Sequence, residues 1–426
     1  MKILQDLPEM VREGILTEDT ADKIRSFYAS KEKGGGNRLF LVFGVLGSLL
    51  VGLGLFLILA HNWDDLSVGI KTVVAFLPLL LGLAASGYSL VKKADSPSWR
   101  EGSGVFLFLA VGVCLALLQQ IHNLPDTTGQ FMLKWMLMGA PVAYVVGSSM
   151  ASLLYFLGIM WIGFEYGSGL SDSWDKLLFW PMALLGLPYY VWLIFKRPYS
   201  HFTYIHHWIV PISSFAGLVC FLMPNQFYGL QLVYSFLTAL ILVGQLPFLK
   251  SGRNSVNGYS ILGNLGILGL MLVFSFGDPW NPILENGFQF ESAIQMSGLI
   301  VLTMVACGLL GYLTLIQGLK SINPLAFVFL LFGIIKILSL PGDFAAGIFS
   351  LLLLAVSMNL IVKGAKSNLL GTLNSGMVVL SLLILCRFFD ADLSFALRGA
   401  VFVLLGIGFF AVNYWMISKR KQDEQE

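Results

Sequence analysis

The chain has 426 residues, of which 57% are hydrophobic and 12% charged, with 26 Lys and Arg against 24 Asp and Glu. A soluble domain carries about 25% charged residues, so half that fraction over this length excludes a mainly water-facing surface and leaves lipid as the solvent. The near balance of charge also excludes the footprint of a nucleic-acid binder. What remains is an all-α, polytopic transmembrane helix bundle.

Taken in chain order, residues 1–33 predict a small cytoplasmic helical hairpin. Ile3, Leu4, Leu7, Met10 and Val11 recur at helical spacing, Gly14 interrupts them, and Thr17 followed by Glu18 and Asp19 reads as a second helix start with acids in its first turn. Such a hairpin serves either as a docking or self-association handle or as a cap on the membrane surface. No early apolar run ends in a small-residue cleavage site, so the first spanning helix is expected to act as its own signal. Residues 34–38 form a Gly-rich tether, 39–417 the transmembrane bundle and 418–426 a charged cytoplasmic tail.

Crossing a hydrocarbon core takes roughly 20 apolar residues in a helix. About fourteen segments meet that expectation: 39–60, 70–91, 104–121, 132–148, 150–166, 177–195, 206–223, 228–249, 259–277, 293–318, 324–340, 343–362, 367–387 and 394–417. The fourth and fifth nearly abut at Gly147, Ser148 and Ser149. With both termini in the cytoplasm, this map places 20 Lys and Arg on cytoplasmic segments and six outside: Lys71, Lys134, Lys176, Lys336, Arg387 and Arg398. That asymmetry is the one expected of a multi-pass membrane protein.

Cys114, Cys220, Cys307 and Cys386 are far apart inside apolar stretches and read as small core residues, with no metal or disulfide pattern. Gly52 and Gly54 lie within a span and lack the third glycine of a dinucleotide loop, and no Walker-type lysine follows a Gly-rich loop. The reading therefore contains no cofactor, no metal, no ATP site and no nucleic-acid partner, only membrane lipids and a possible protein partner at residues 1–33.

The outer hairpins repeat a pattern. AHNWDDLSVGIK holds His61, Asn62, Asp64, Asp65 and Lys71; IHNLPDTTGQFMLK holds His122, Asn123, Asp126 and Lys134; DADLSFALR holds Asp390, Asp392 and Arg398. Asp65, Ser67 and Lys71 share their spacing with Asp392, Ser394 and Arg398, which suggests duplicated helix pairs. Each Asp is placed to cap the returning helix, and Lys71, Lys134, Lys336 and Arg398 to snorkel to the outer headgroups. Jointly, the acids, bases and two imidazoles of the first two hairpins are expected to meet at one outer mouth.

His201, His206 and His207 read as part of an interfacial belt with Lys196, Arg197 and nearby aromatic residues. Gln119, Gln120, Gln245, Asn264, Asn359, Asn374 and Asn413 read as interhelical glue, and Gly44, Ser48 and Gly52 as a stripe for close helix packing. Pro78, Pro141, Pro181, Pro188 and Pro211 are candidate kinks.

Three stretches together, EGILTEDTADKI, GSLLVGLGLFLILAHNWDDLS and LLQQIHNLPDTTGQFMLKWMLMGAPVAYVVGSS, resemble the bacterial predicted-membrane-protein family known as domain of unknown function 2157, over about residues 1–165. The resemblance implies a bacterial inner membrane and supplies no activity. Three functions stay open: a permease or flippase-like carrier for an amphipathic or lipid-linked substrate, a non-catalytic scaffold docking partners through the hairpin, and an outer-face enzyme of lipid-sugar-transferase type using Asp64 and Asp65.

Overall fold

The computed structural model describes residues 7, 10–24, 35–61, 67–167, 174–219, 226–249, 257–285, 293–367 and 369–390, with isolated positions between 399 and 414. All regular structure among them is helical. Residues 10–12 and 18–24 are helical around Gly14, whose φ of +71° suits a residue without Cβ. The rest of the expected hairpin, the tether's first residue and the charged tail lie outside the described residues.

The chain divides into two compact units, Met1–Cys220 and Phe221–Glu426. Unit 1 holds α1 (Gly35–His61), α2 (Val68–Lys92), α3 (Pro97–Ile121), α4 (Thr128–Val145), α5 (Ser149–Gly167), α6 (Phe179–Lys196) and α7 (His201–Val219). Unit 2 holds α8 (Gln226–Gly244), α9 (Gly258–Val273), the short α10 (Asn281–Glu285), α11 (Ala293–Gln317), α12 (Val328–Ile337), α13 (Gly342–Lys366) and α14 (Leu370–Asp390). Apart from α10, each helix falls on one of the first thirteen apolar segments; the fourteenth, 394–417, lies outside the described residues but for isolated positions.

Among the described residues, α2, α3, α5, α11 and α13 are each long and apolar enough to cross a membrane, up to six spans if α9 and its bent continuation count as one. Many apolar side chains on these helices face outward, Leu315 being 88% exposed, as a bundle with lipid for solvent requires.

Helix boundaries follow local chemistry. The α4 N-terminus is a capping box in which Gln130 N–H donates to Thr127 Oγ1 at 3.3 Å and Thr127 N–H donates to Gln130 Oε1 at 3.0 Å. Pro97 opens α3, where its missing N–H costs nothing. Between α4 and α5 the chain turns in a few residues through Gly147 at φ +71°, which resolves the two abutting segments into separate helices.

In unit 1, α3 packs on α1, α2, α4 and α5, while α5 packs on α3, α4, α6 and α7. The α5–α7 crossing is so close that a Cβ on Gly163 would lie 2.8 Å from the Ala216 backbone. In unit 2, α8 packs on α9, α11 and α12, and α13 packs on α9 and α14.

One expected span is not a straight helix. Residues 259–277 break after Val273, and the chain resumes as Asp278–Leu284 at an angle of 101°. The broken ladder is repaired locally, because Trp280 Nε1–H donates to the Phe274 carbonyl at 2.9 Å. Trp280, fully buried, lies 5.1 Å from Phe274, 5.4 Å from Phe332 and 5.3 Å from Phe349, so rings from α12 and α13 fix the bend.

Candidate functional site

The outer-hairpin residues are described in part. At the α3–α4 connection, the Asp126 carboxylate accepts hydrogen bonds from Lys134 Nζ and from Gln119 Nε2. The Lys134 bond holds the Asp126 carboxyl below the usual carboxylate range, against a smaller opposing effect of desolvation. Asp126 is thus not the cap of α4, a role taken by Thr127, and Lys134 is tied to a carboxylate instead of reaching freely for headgroups. Gln119 likewise ties a helix to a loop rather than to another helix. His122 is exposed at the C-cap of α3, and Asn123 turns the chain with φ +47°. At the first hairpin Ser67 caps α2 and Lys71 is partly exposed. The His61 side chain, Asn62, Asp64 and Asp65 lie outside the described residues, as do the Asp390 side chain, Asp392 and Arg398. The shared mouth and the duplicated hairpin therefore rest on the sequence pattern.

Two cavities line the seam where α1 crosses α3. One, of about 400 Å³, is bounded by Leu49, Gly52, Leu53, Leu109, Gly112, Val113, Ala116, Phe131 and Trp135, every one apolar or aromatic. The other, of about 280 Å³, is bounded by Gly44, Ser48, Ala85, Ser98, Trp99, Gly102, Ser103 and Phe106, so three hydroxyls enter its wall. The small residues of α1 do face α3: a Cβ on Gly102 would lie 3.6 Å from Ser48 Oγ. The stripe holds α1 close there, yet space remains on either side of the contact. Trp135 lines the apolar pocket, its Nε1–H donating to the Phe108 carbonyl at 2.9 Å.

Sequence reasoning missed the polar core of unit 1. Glu101, one turn into α3 and 1% exposed, reaches the start of α5. Its carboxylate accepts from Ser148 Oγ at 2.9 Å, from Ser149 N–H at 3.1 Å and from Met150 N–H at 2.8 Å. A helix N-terminus presents unsatisfied N–H groups and a partial positive charge; here Ser148 Oγ caps Ala151 N–H locally at 3.2 Å, and the carboxylate from another helix takes the two N–H groups before it.

Next to it, Ser149 Oγ and Tyr189 Oη are 3.1 Å apart, and Ser152 Oγ and His206 Nε2 are 3.0 Å apart. His206 and His207 are buried. Tyr190 stacks on His206 at 5.8 Å and pairs through its hydroxyl with His207 Nδ1 at 2.6 Å. The signal available in the sequence was an acid inside an apolar helix and a Ser-Ser pair at a helix break; only the tertiary fold joins them.

Residues 8–152 match the model of the family described as predicted membrane protein (DUF2157). The matched region of this DUF2157 family ends at Ser152 and so contains the α1–α3 seam, the Asp126–Lys134 pair and Glu101 with its three donors, while Tyr189 and His206 lie beyond it. The chain matches no curated protein and no solved structure.

Unit 2 holds its own buried charge. Lys336, 4% exposed, donates from Nζ to the Ile283 carbonyl at 2.5 Å and the Leu284 carbonyl at 3.3 Å. It therefore does not snorkel outward: the bent segment brings carbonyls of α10 to it. Elsewhere Asn323 Nδ2 donates to Asn264 Oδ1 at 2.7 Å, a contact of the interhelical kind expected of Asn264. No cluster of metal-ligating side chains occurs among the described residues.

Proposed function

We propose that the chain is a multi-pass carrier for an amphipathic or lipid-linked molecule, taken up in the seam between α1 and α3. The observation that carries this reading is the pairing of chambers along one helix contact: one of about 400 Å³ with an entirely apolar wall and one of about 280 Å³ with Ser48, Ser98 and Ser103 in its wall. Both are near or within the roughly 300–1,000 Å³ typical of small-molecule sites. An apolar tail and a polar head are the two chemistries such walls separate.

The same proposal includes about fourteen spans in a bacterial inner membrane with both termini cytoplasmic, supported by the distribution of Lys and Arg. Reporter fusions after Arg100, Lys196 and Lys320 then report cytoplasm and one after Asn286 the outside. A reversal within that series removes a span. The enzyme reading rests on Asp64 and Asp65 and the scaffold reading on residues 1–33, and no described geometry favours either.

The functional test uses the full chain in vesicles with a phospholipid carrying a diazirine in its acyl chain. Adducts are expected at Leu109, Phe131 and Trp135 in excess of those at outward-facing Leu315, and Gly52→Trp removes that excess. In the same vesicles, a head-labelled lipid crosses the bilayer faster with the protein than without it, and Gly52→Trp slows it. Labelling no stronger in the seam than at Leu315 overturns the proposal.

A further inference from the structure

Beside Ser152, Tyr155 and Tyr189, the contact of α4, α5 and α6 leaves a cavity of about 10 Å³, with Tyr144 and Gly186 also in its wall. That is the volume one water molecule needs, and a buried water also needs two to four polar partners. The hydrogen bonds around the cavity supply them. Tyr155 Oη donates to the Met182 carbonyl at 2.7 Å, and Tyr144 Oη donates to the Leu185 carbonyl. Both hydroxyls have used their protons and present lone pairs.

His206 fixes the direction of the next bond. Its Nδ1 lies 2.7 Å from the Phe202 carbonyl, which only accepts, so Nδ1 carries the proton. In the neutral ring Nε2 is then an acceptor, and Ser152 Oγ donates to it. Having donated, Ser152 offers lone pairs to a further donor. Tyr189, whose Oη is in contact with Ser149 Oγ, lines the same cavity.

We propose that this cavity binds one ordered water, which accepts from Tyr189, donates to Ser152 and gives its second proton to a tyrosine lone pair. The result is a single hydrogen-bond chain from Ser149 through Tyr189, water and Ser152 to His206, crossing α5, α6 and α7. While His206 is neutral every bond in it points toward the imidazole. When a proton from the aqueous phase adds to Nε2, that nitrogen becomes a donor, Ser152 turns to donate to the water, the water to Tyr189, and Tyr189 to Ser149. No heavy-atom bond breaks; each hydroxyl rotates, and the added proton stays on the imidazole.

Ser149 thereby changes from donor to acceptor at the helix end whose N–H groups Glu101 holds, so protonation at His206 is felt at the start of α5. The groups facing His206 are Tyr190 from α6, Ser152 and the edge of Phe156 from α5, and His207 on its own helix. The hydroxyl of Tyr190 is engaged by His207.

The test uses the full chain in lipid nanodiscs. A high-resolution density map at neutral pH should show one water within hydrogen-bond distance of Ser152 Oγ and Tyr189 Oη. With ¹⁵N-labelled histidine and backbone, the Ser149 amide should shift on acidification with the His206 midpoint, and Tyr189→Phe, which keeps the ring, should abolish that coupled shift while Tyr155→Phe preserves it. Ser152→Ala gives the same loss from the other side of the water and stands in if Tyr189→Phe does not fold. An empty cavity, a wild-type Ser149 amide indifferent to His206, or coupling that survives Tyr189→Phe and Ser152→Ala overturns the proposal.

Discussion

Glu101 in unit 1 and Lys336 in unit 2 are both charges buried to within a few per cent, each lent by one helix to the end of another, and they meet opposite ends. Glu101 takes the free N–H groups at the start of α5, and Lys336 takes carbonyls in the last turn of α10. In each case the sign matches the partial charge of the helix end. A membrane bundle has little water to offer a buried ion, and a helix end has backbone groups to satisfy; placing one against the other resolves both costs. The difference lies in how much each charge satisfies. Among the described residues Glu101 serves three donors at the head of a 19-residue helix, whereas Lys336 serves two carbonyls of a five-residue one.

That difference predicts an order of effects. Glu101→Ala leaves three donors without their acceptor and is expected to cost about 3–5 kcal/mol, read as a lowered midpoint of denaturant unfolding in micelles. Glu101→Gln, which retains one acceptor oxygen, should cost clearly less; equal losses would show that filling space, not accepting bonds, is what matters.

Lys336→Met keeps the stem and removes the ammonium. We expect about 1–3 kcal/mol, together with faster proteolysis between Asp278 and Glu285 while the rest of unit 2 stays protected. A loss as large as that of Glu101→Ala would erase the distinction between the two ends.

The smallest effect belongs to Asp126, whose partner is a side chain at a partly exposed site. Its carboxyl lies below the usual range in the folded protein, so its contribution is complete above the unfolded value of about 4 and disappears as pH falls through the lowered folded value. A thermal-stability profile from pH 6 downward should therefore lose its acid limb in Asp126→Asn by only a small margin. An acid limb unaffected by that substitution would place the charge dependence elsewhere.

The apolar periodicity of the sequence was enough to locate the helices, because lipid-facing segments are written as long runs of Leu, Val, Ile and Phe. The break after Val273 is partly written there, in Gly277, Asp278, Pro279, Asn281 and Pro282, but the ring cluster from α12 and α13 that packs the bend is not. The stripe of Gly44, Ser48 and Gly52 was legible as a packing face, but the two chambers beside it depend on side chains of α2, α3 and α4. Asp126 was read as a cap because capping is local; its actual partners are seven and eight residues away, across a turn. Glu101 was legible only as an acid in a largely apolar helix, and nothing local to it points to Ser148.

The sequence separation of 47 between Glu101 and Ser148 also sets an order of events in biosynthesis. As the chain leaves the ribosome, α3 and its carboxylate precede the first turn of α5, whose leading N–H groups have no partner within their own helix. The carboxylate is already made when the later helix forms, ready to accept from Ser149 and Met150. The join between α4 and α5 is thus completed by a residue made before either helix.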